Sequence, residues 1–168
     1  MSILDNARAG QNALEQLMNA IPGFKGYREK ELRRDADKLQ REHLAGQLDG
    51  CKRALNDAAN AATRGGSLDA INDVETARKR LDKVVARIRW ADRGYGGFFD
   101  TIKVDEAMLE RVYQFDLGLV VGVDAVSQAA SAVAGAADVQ AALRHLIAQV
   151  DALDQSLAQR EQILSGIQ

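Results

Sequence analysis

The chain of 168 residues has one cysteine, Cys51, and one proline, Pro22. A lone cysteine excludes an internal disulfide, so the fold must hold itself together by packing, as suits a reducing, cytoplasmic setting. Charge of one sign is also lacking. Twenty-two Lys and Arg stand against 24 Asp and Glu, a formal net charge of -2, which excludes a whole-protein attraction to nucleic acid or acidic lipid. Uninterrupted apolar runs are missing too. The first residues carry Asp5, Arg8 and Glu15, which argues against a leader segment, and the most apolar stretch, from Leu117 to Val139, is broken by Asp124 and Asp138.

Catalytic constellations are equally scarce. A di-iron bundle needs Glu-x-x-His pairs, but Gln40 precedes His43 by three residues and Ala142 precedes His145. Gly94-x-Gly96 follows a helical pattern, not a strand, and is no nucleotide fingerprint. Cys51 lies on an apolar seam with no histidine at helical reach, and reads as a small hydrophobe. His43 reads as a packed core residue. His145, beside Arg144, keeps open a histidine phosphotransfer module, the one catalytic alternative. The expected protein is not an enzyme and needs no cofactor or metal.

What is present is helical periodicity over one domain, 1–168. With 46% hydrophobic residues the chain can bury a continuous core. Apolar residues recur at alternating steps of three and four, and the breaks fall at Pro22-Gly23, Gly65-Gly66, Gly94 to Gly97 and Gly135. These predict helices near 3–20, 28–63, 68–92, 105–134 and 139–165, with Ser67, Asp105 and Asp138 as N-caps. The second helix carries Leu32, Ala36, Leu39 and His43, then Leu44, Leu48, Cys51, Leu55, Ala58 and Ala62, a stripe that steps sideways near His43. The fifth repeats Leu143, Leu146, Val150, Leu153, Leu157, Arg160 and Leu164.

The expected fold is all-α: an antiparallel up-down bundle of four long helices, with a short N-terminal helix packed at one end. Folding the second helix back on the third pairs Ala54 with about Ala77, leaving the start of the second helix overhanging the end of the third. The first helix or the loop from Gly94 to Phe99 must meet that overhang. Three charged residues, Arg78, Asp116 and Arg160, sit on seams at similar levels, either as a structural ionic layer or as marginal residues sending their charges to water.

The few aromatics concentrate in one place: Trp90, Tyr95, Phe98 and Phe99. Trp90 shares a helix face with Lys79, Lys83 and Arg87, opposite the apolar seam. This window predicts a partner-binding surface made of Lys83, Arg87, Trp90, Arg93, Tyr95, Phe98 and Phe99; the plainer reading buries Trp90 under the loop or the first helix. Residues 78–93 form a basic segment and the acidic residues dominate from Asp100 onward, which invites self-association unless these are simply solvated faces. In general architecture the long charged hairpin is similar to coiled-coil scaffolds of the phage-shock type that bind membranes under stress, with no shared motif. The sequence thus points to a non-enzymatic scaffold with a protein partner. Its alternative is a peripheral protein on an anionic membrane surface, inside the cell.

Overall fold

The structure, a computed structural model, describes residues 3–91 and 104–165, with side chains from residue 12 onward. Five helices pack against one another: α1 (Ile3–Ala20), α2 (Arg33–Gly65), α3 (Leu68–Arg89), α4 (Glu106–Val133) and α5 (Val139–Ser165). No strand occurs among the described residues. The glycine pair between α2 and α3 works through Gly66, whose φ of 69° turns the chain left-handed. The N–H groups of Gly66 and Ser67 then bond back to the carbonyls of Thr63 and Ala62, closing the orphan end of α2. Ser67, Asp105 and Asp138 each accept a backbone N–H from three residues on, capping α3, α4 and α5.

The seams of α4 and α5 are buried along nearly their whole length, from Leu109 to Val133 and from Leu143 to Leu164. Leu143, Leu146 and Leu153 are at most 1% exposed, and burying each stabilises the fold by about 1.5–3 kcal/mol. Among the described helices, α4 alone is long and apolar enough to cross a membrane. Its position accounts for that composition, since it packs against α1, α2 and α5.

Directions alternate along the chain, but neighbours do not follow chain order. α2 lies beside α3 and α4, and α5 lies beside α3 and α4. Ion pairs fix the senses. Lys52 meets Asp82 and Asn56 meets Arg78, so α2 and α3 run antiparallel. Arg80 pairs with Asp151 and Arg87 with Glu161, so α3 and α5 run parallel. Arg160 meets Asp116 and Leu153 packs against Gly122, so α4 and α5 run antiparallel. The ring order is therefore α2, α3, α5, α4, and α3 and α4 occupy opposite corners. This corrects the expectation that every pair of consecutive long helices would sit side by side. Helix axes spaced about 8–10 Å apart make the diagonal only about 13 Å, which the connection between residues 90 and 105 easily spans.

The second helix also begins later than expected. Residues 21–29 are a linker, followed by a 3-10 turn at Lys30–Leu32. The start of α2 does overhang α3, because Arg41 lies level with the last α3 residues. α1 packs on α4, and the linker fills the space below the bundle centre.

Candidate functional site

The linker carries its side chains inward because two glycines bend it. Gly23 and Gly26 hold φ of 83° and 90°, conformations that other residues adopt at a cost. Phe24 and Tyr27 are thereby buried, at 2% and 0% exposure. Their rings meet edge to face at 5.4 Å, and Tyr27 stacks on Tyr113 of α4 at 5.7 Å. The Tyr27 N–H donates to the Tyr113 hydroxyl at 3.0 Å, satisfying a buried amide outside any helix.

The Tyr27 hydroxyl ends in a buried ionic cluster. It donates to Asp116 Oδ2 at 2.5 Å and lies 2.7 Å from Gln40 Oε1. A phenol has one proton, and the carboxylate takes it. Gln40 Oε1 also accepts from Arg160 Nη2 at 3.4 Å, and the buried Gln40 Nε2 has no hydrogen-bond partner among the described residues. Arg160 Nε donates to Asp116 Oδ1 at 2.7 Å, and its Nη2 crosses the bundle diagonal to Asp37 Oδ1 at 2.7 Å. Asp37 Oδ2 in turn accepts from Arg41 Nε at 2.7 Å. Arg41 Nη1 then donates to the carbonyls of Ile88 and Arg89 at 3.3 and 2.5 Å. Nearby, Arg33 Nε donates to the Tyr27 carbonyl at 2.7 Å.

Two guanidiniums thus face two carboxylates in a cluster drawn from α2, α4, α5 and the linker, and Arg41 ties it to α3. Burial, with the Asp116 charge second, pushes the Tyr27 phenol well above its usual pKa. Burial disfavours the Arg160 cation, yet the Asp116 and Asp37 charges outweigh it and hold that guanidinium well above its ordinary value. The phenol stays protonated and the arginine charged. Such a cluster specifies which helices meet, and at what register, more than it adds net stability.

Arg78 is not in this layer. It pairs with Glu75 at 2.9 Å and Asn56 at 2.8 Å on the partly exposed edge between α2 and α3. The ring order explains the difference: α3 does not lie beside α4, and only its end reaches the level of Arg160, about 15 Å below Arg78. Arg41 of α2 takes the place expected for Arg78. The sequence reading missed it along with Tyr27, Asp37 and Gln40. A signal was present: the α2 seam Leu44, Leu48, Cys51 and Leu55, continued backwards without a sideways step, passes through Arg41, Gln40, Asp37 and Arg33, all buried. The apolar residues Leu32, Ala36 and Leu39 instead help line a cleft of about 420 Å³ beside Leu14 and Tyr113. Its lining mixes those side chains with Lys25, Arg28, Glu29 and Asp35.

The expected partner surface divides into three. Trp90, the residue that follows α3, is 66% exposed. Lys83 and Arg87 are ion-paired: Lys83, its side chain exposed, meets Asp154 at 3.1 Å, and the half-buried Arg87 meets Asp154 at 2.5 Å and Glu161 at 2.8 Å. Arg93, Tyr95, Phe98 and Phe99 lie outside the described residues. Arg80 pairs with Asp151 and Arg89 with Asp49, so of the described bases of the segment, Arg78, Arg80, Lys83, Arg87 and Arg89 meet acids within the chain, three of them pairing with acids of α5. Burial opposes ionisation of Asp154, but its bonds to Arg87 and Lys83 prevail and hold its carboxyl below the usual range. Each such exposed pair adds at most about 1 kcal/mol.

His145 and Arg144 are exposed on α5, and His43 is half-buried on α2. Cys51 is buried, its thiol pushed up by burial and 3.6 Å from the Ser127 hydroxyl. Among the described residues, no group of three or more His, Cys, Asp and Glu is placed to hold a metal ion. Comparison with protein-family models, with curated proteins and with solved structures gives no match.

Proposed function

We propose that this chain is a non-enzymatic protein-interaction module whose contact surface is the pole bearing Trp90. One observation carries the reading: the single tryptophan stands 66% exposed on a base that the buried cluster fixes through Arg41. A large aromatic side chain has only two torsions to freeze on binding, which is part of what makes tryptophan a frequent anchor of interfaces. The partner is a protein with a pocket for an aromatic side chain. An anionic membrane surface has less to recommend it, since Lys83 and Arg87 are engaged by Asp154 and Glu161. Self-association through opposite charge has less to recommend it in the same way, since Arg80, Lys83 and Arg87 already meet acids of α5.

Photo-crosslinking tests this directly. A benzophenone amino acid placed at Trp90, irradiated in extracts of the source organism, should give a discrete protein adduct. The same group at Leu68, 75% exposed at the opposite pole, should not. Identical products from both positions, or none from position 90, would contradict the reading. Trp90→Ala should leave helicity unchanged, with a stability change within about 0.5 kcal/mol, as for other exposed side chains.

A further inference from the structure

The last carbonyls of a helix have no partner within the helix and carry the negative end of its dipole. In α3 two of them, those of Ile88 and Arg89, are held by the buried Arg41 guanidinium of another helix. The next residue is Trp90, whose N–H bonds to the Ala86 carbonyl at 3.0 Å. Arg41 is in turn held by Asp37, Asp37 is shared with Arg160, Arg160 with Asp116, and Asp116 with the Tyr27 hydroxyl. From the Tyr27 hydroxyl to the last carbonyls of α3, one residue before the exposed tryptophan, every link is a buried or partly buried hydrogen bond.

We propose that Arg41 is a positioning residue for the Trp90 surface, and that seating of Tyr27 regulates that surface through the ion relay. The proposal rests on Trp90 being a contact residue. Without the phenolic proton, Asp116 draws Arg160 more strongly, Asp37 loses part of its partner, and it competes with the α3 carbonyls for Arg41. The last turn of α3 then frays and Trp90 gains freedom. By linkage, a partner that clamps Trp90 favours the seated linker by the same factor.

Trp90 is the only tryptophan, so its fluorescence reads the pole without a partner. Time-resolved anisotropy of the full chain should show Trp90 following overall tumbling in the native protein. Arg41→Met should add a faster local component and remove hydrogen-exchange protection at Ile88 to Trp90. Tyr27→Phe should add a smaller fast component of the same kind, while Arg78→Met, elsewhere on α3, adds none. An unchanged decay in Arg41→Met would overturn the positioning role, and an unchanged decay in Tyr27→Phe would overturn the relay. Should Arg41→Met lose its helical circular dichroism, Tyr27→Phe decides alone. These readouts do not depend on the partner, so a failed crosslink from position 90 removes the contact reading without being confused with a failed relay.

Discussion

Arg160→Met should lower the unfolding free energy by about 3–5 kcal/mol, among the largest effects of any single substitution in this chain. The methionine fits roughly the same space, so packing is not the cause. The cause is charge: Asp37 and Asp116, at 1% and 0% exposure, would lose the cation between them. Asp37 keeps Arg41 and Asp116 keeps the Tyr27 hydroxyl, but Asp116 is left with no cation, and a buried carboxylate in that position either stays charged at high cost or takes a proton, both of which favour the unfolded chain. Against a typical total of 5–15 kcal/mol, the loss is large, and for a domain of this size it lowers the melting temperature by roughly 10 °C. The matched double change, Arg160→Met with Asp116→Leu, should recover much of the stability, because it leaves Asp37 paired with Arg41 and removes the buried carboxylate that would otherwise have no cation. Urea unfolding of the two variants tests both halves. A loss below about 1 kcal/mol for the single change would mean that water already reaches the cluster.

Gly26→Ala should cost about 3 kcal/mol, whereas Gly66→Ala should cost about 1 kcal/mol, although both glycines have positive φ. The shared part is the strain of a left-handed residue. The difference is space. A methyl group on Gly26 would stand 2.6 Å from the Tyr113 hydroxyl and 3.1 Å from Leu14 Cδ1, while one on Gly66 meets nothing within 4 Å. Tyr113 cannot retreat cheaply. It is 5% exposed, stacks on Tyr27 and accepts the Tyr27 N–H, so moving it leaves a buried amide unpaired. Denaturant midpoints of the two variants give the comparison. Equal losses would show that the linker is not packed against Tyr113.

Much of the fold was legible because the periodic elements are long. The seams of α4 and α5 kept steps of three and four, and the Gly65-Gly66 pair marked a turn that only a left-handed residue can make. The overhang of α2 was legible from helix length. Ring order was not, because a connection as long as residues 90–105 reaches an adjacent or an opposite corner equally well. That one ambiguity misplaced Arg78. The polar face of early α2 was misread for a different reason: Asp37 and Arg41 have the i,i+4 spacing of solvated helix-supporting pairs, and periodicity cannot distinguish that from a buried pair. The pairing of α3's bases with α5's acids depends on those helices being parallel neighbours, which again follows only from ring order. Trp90 was recognised as lying off the seam, while its exposure depended on what covered it.

Hydrogen exchange at the Tyr27 amide tests the central claim, that the linker is locked into the charged centre of the bundle, most directly. This amide lies outside every helix and has a tyrosine hydroxyl as acceptor. The account predicts protection comparable to that of core amides such as Leu146 or Leu153, with exchange only when the bundle opens as a whole. Exchange as rapid as that of an exposed linker amide would contradict it, and with it the route from Tyr27 to Trp90.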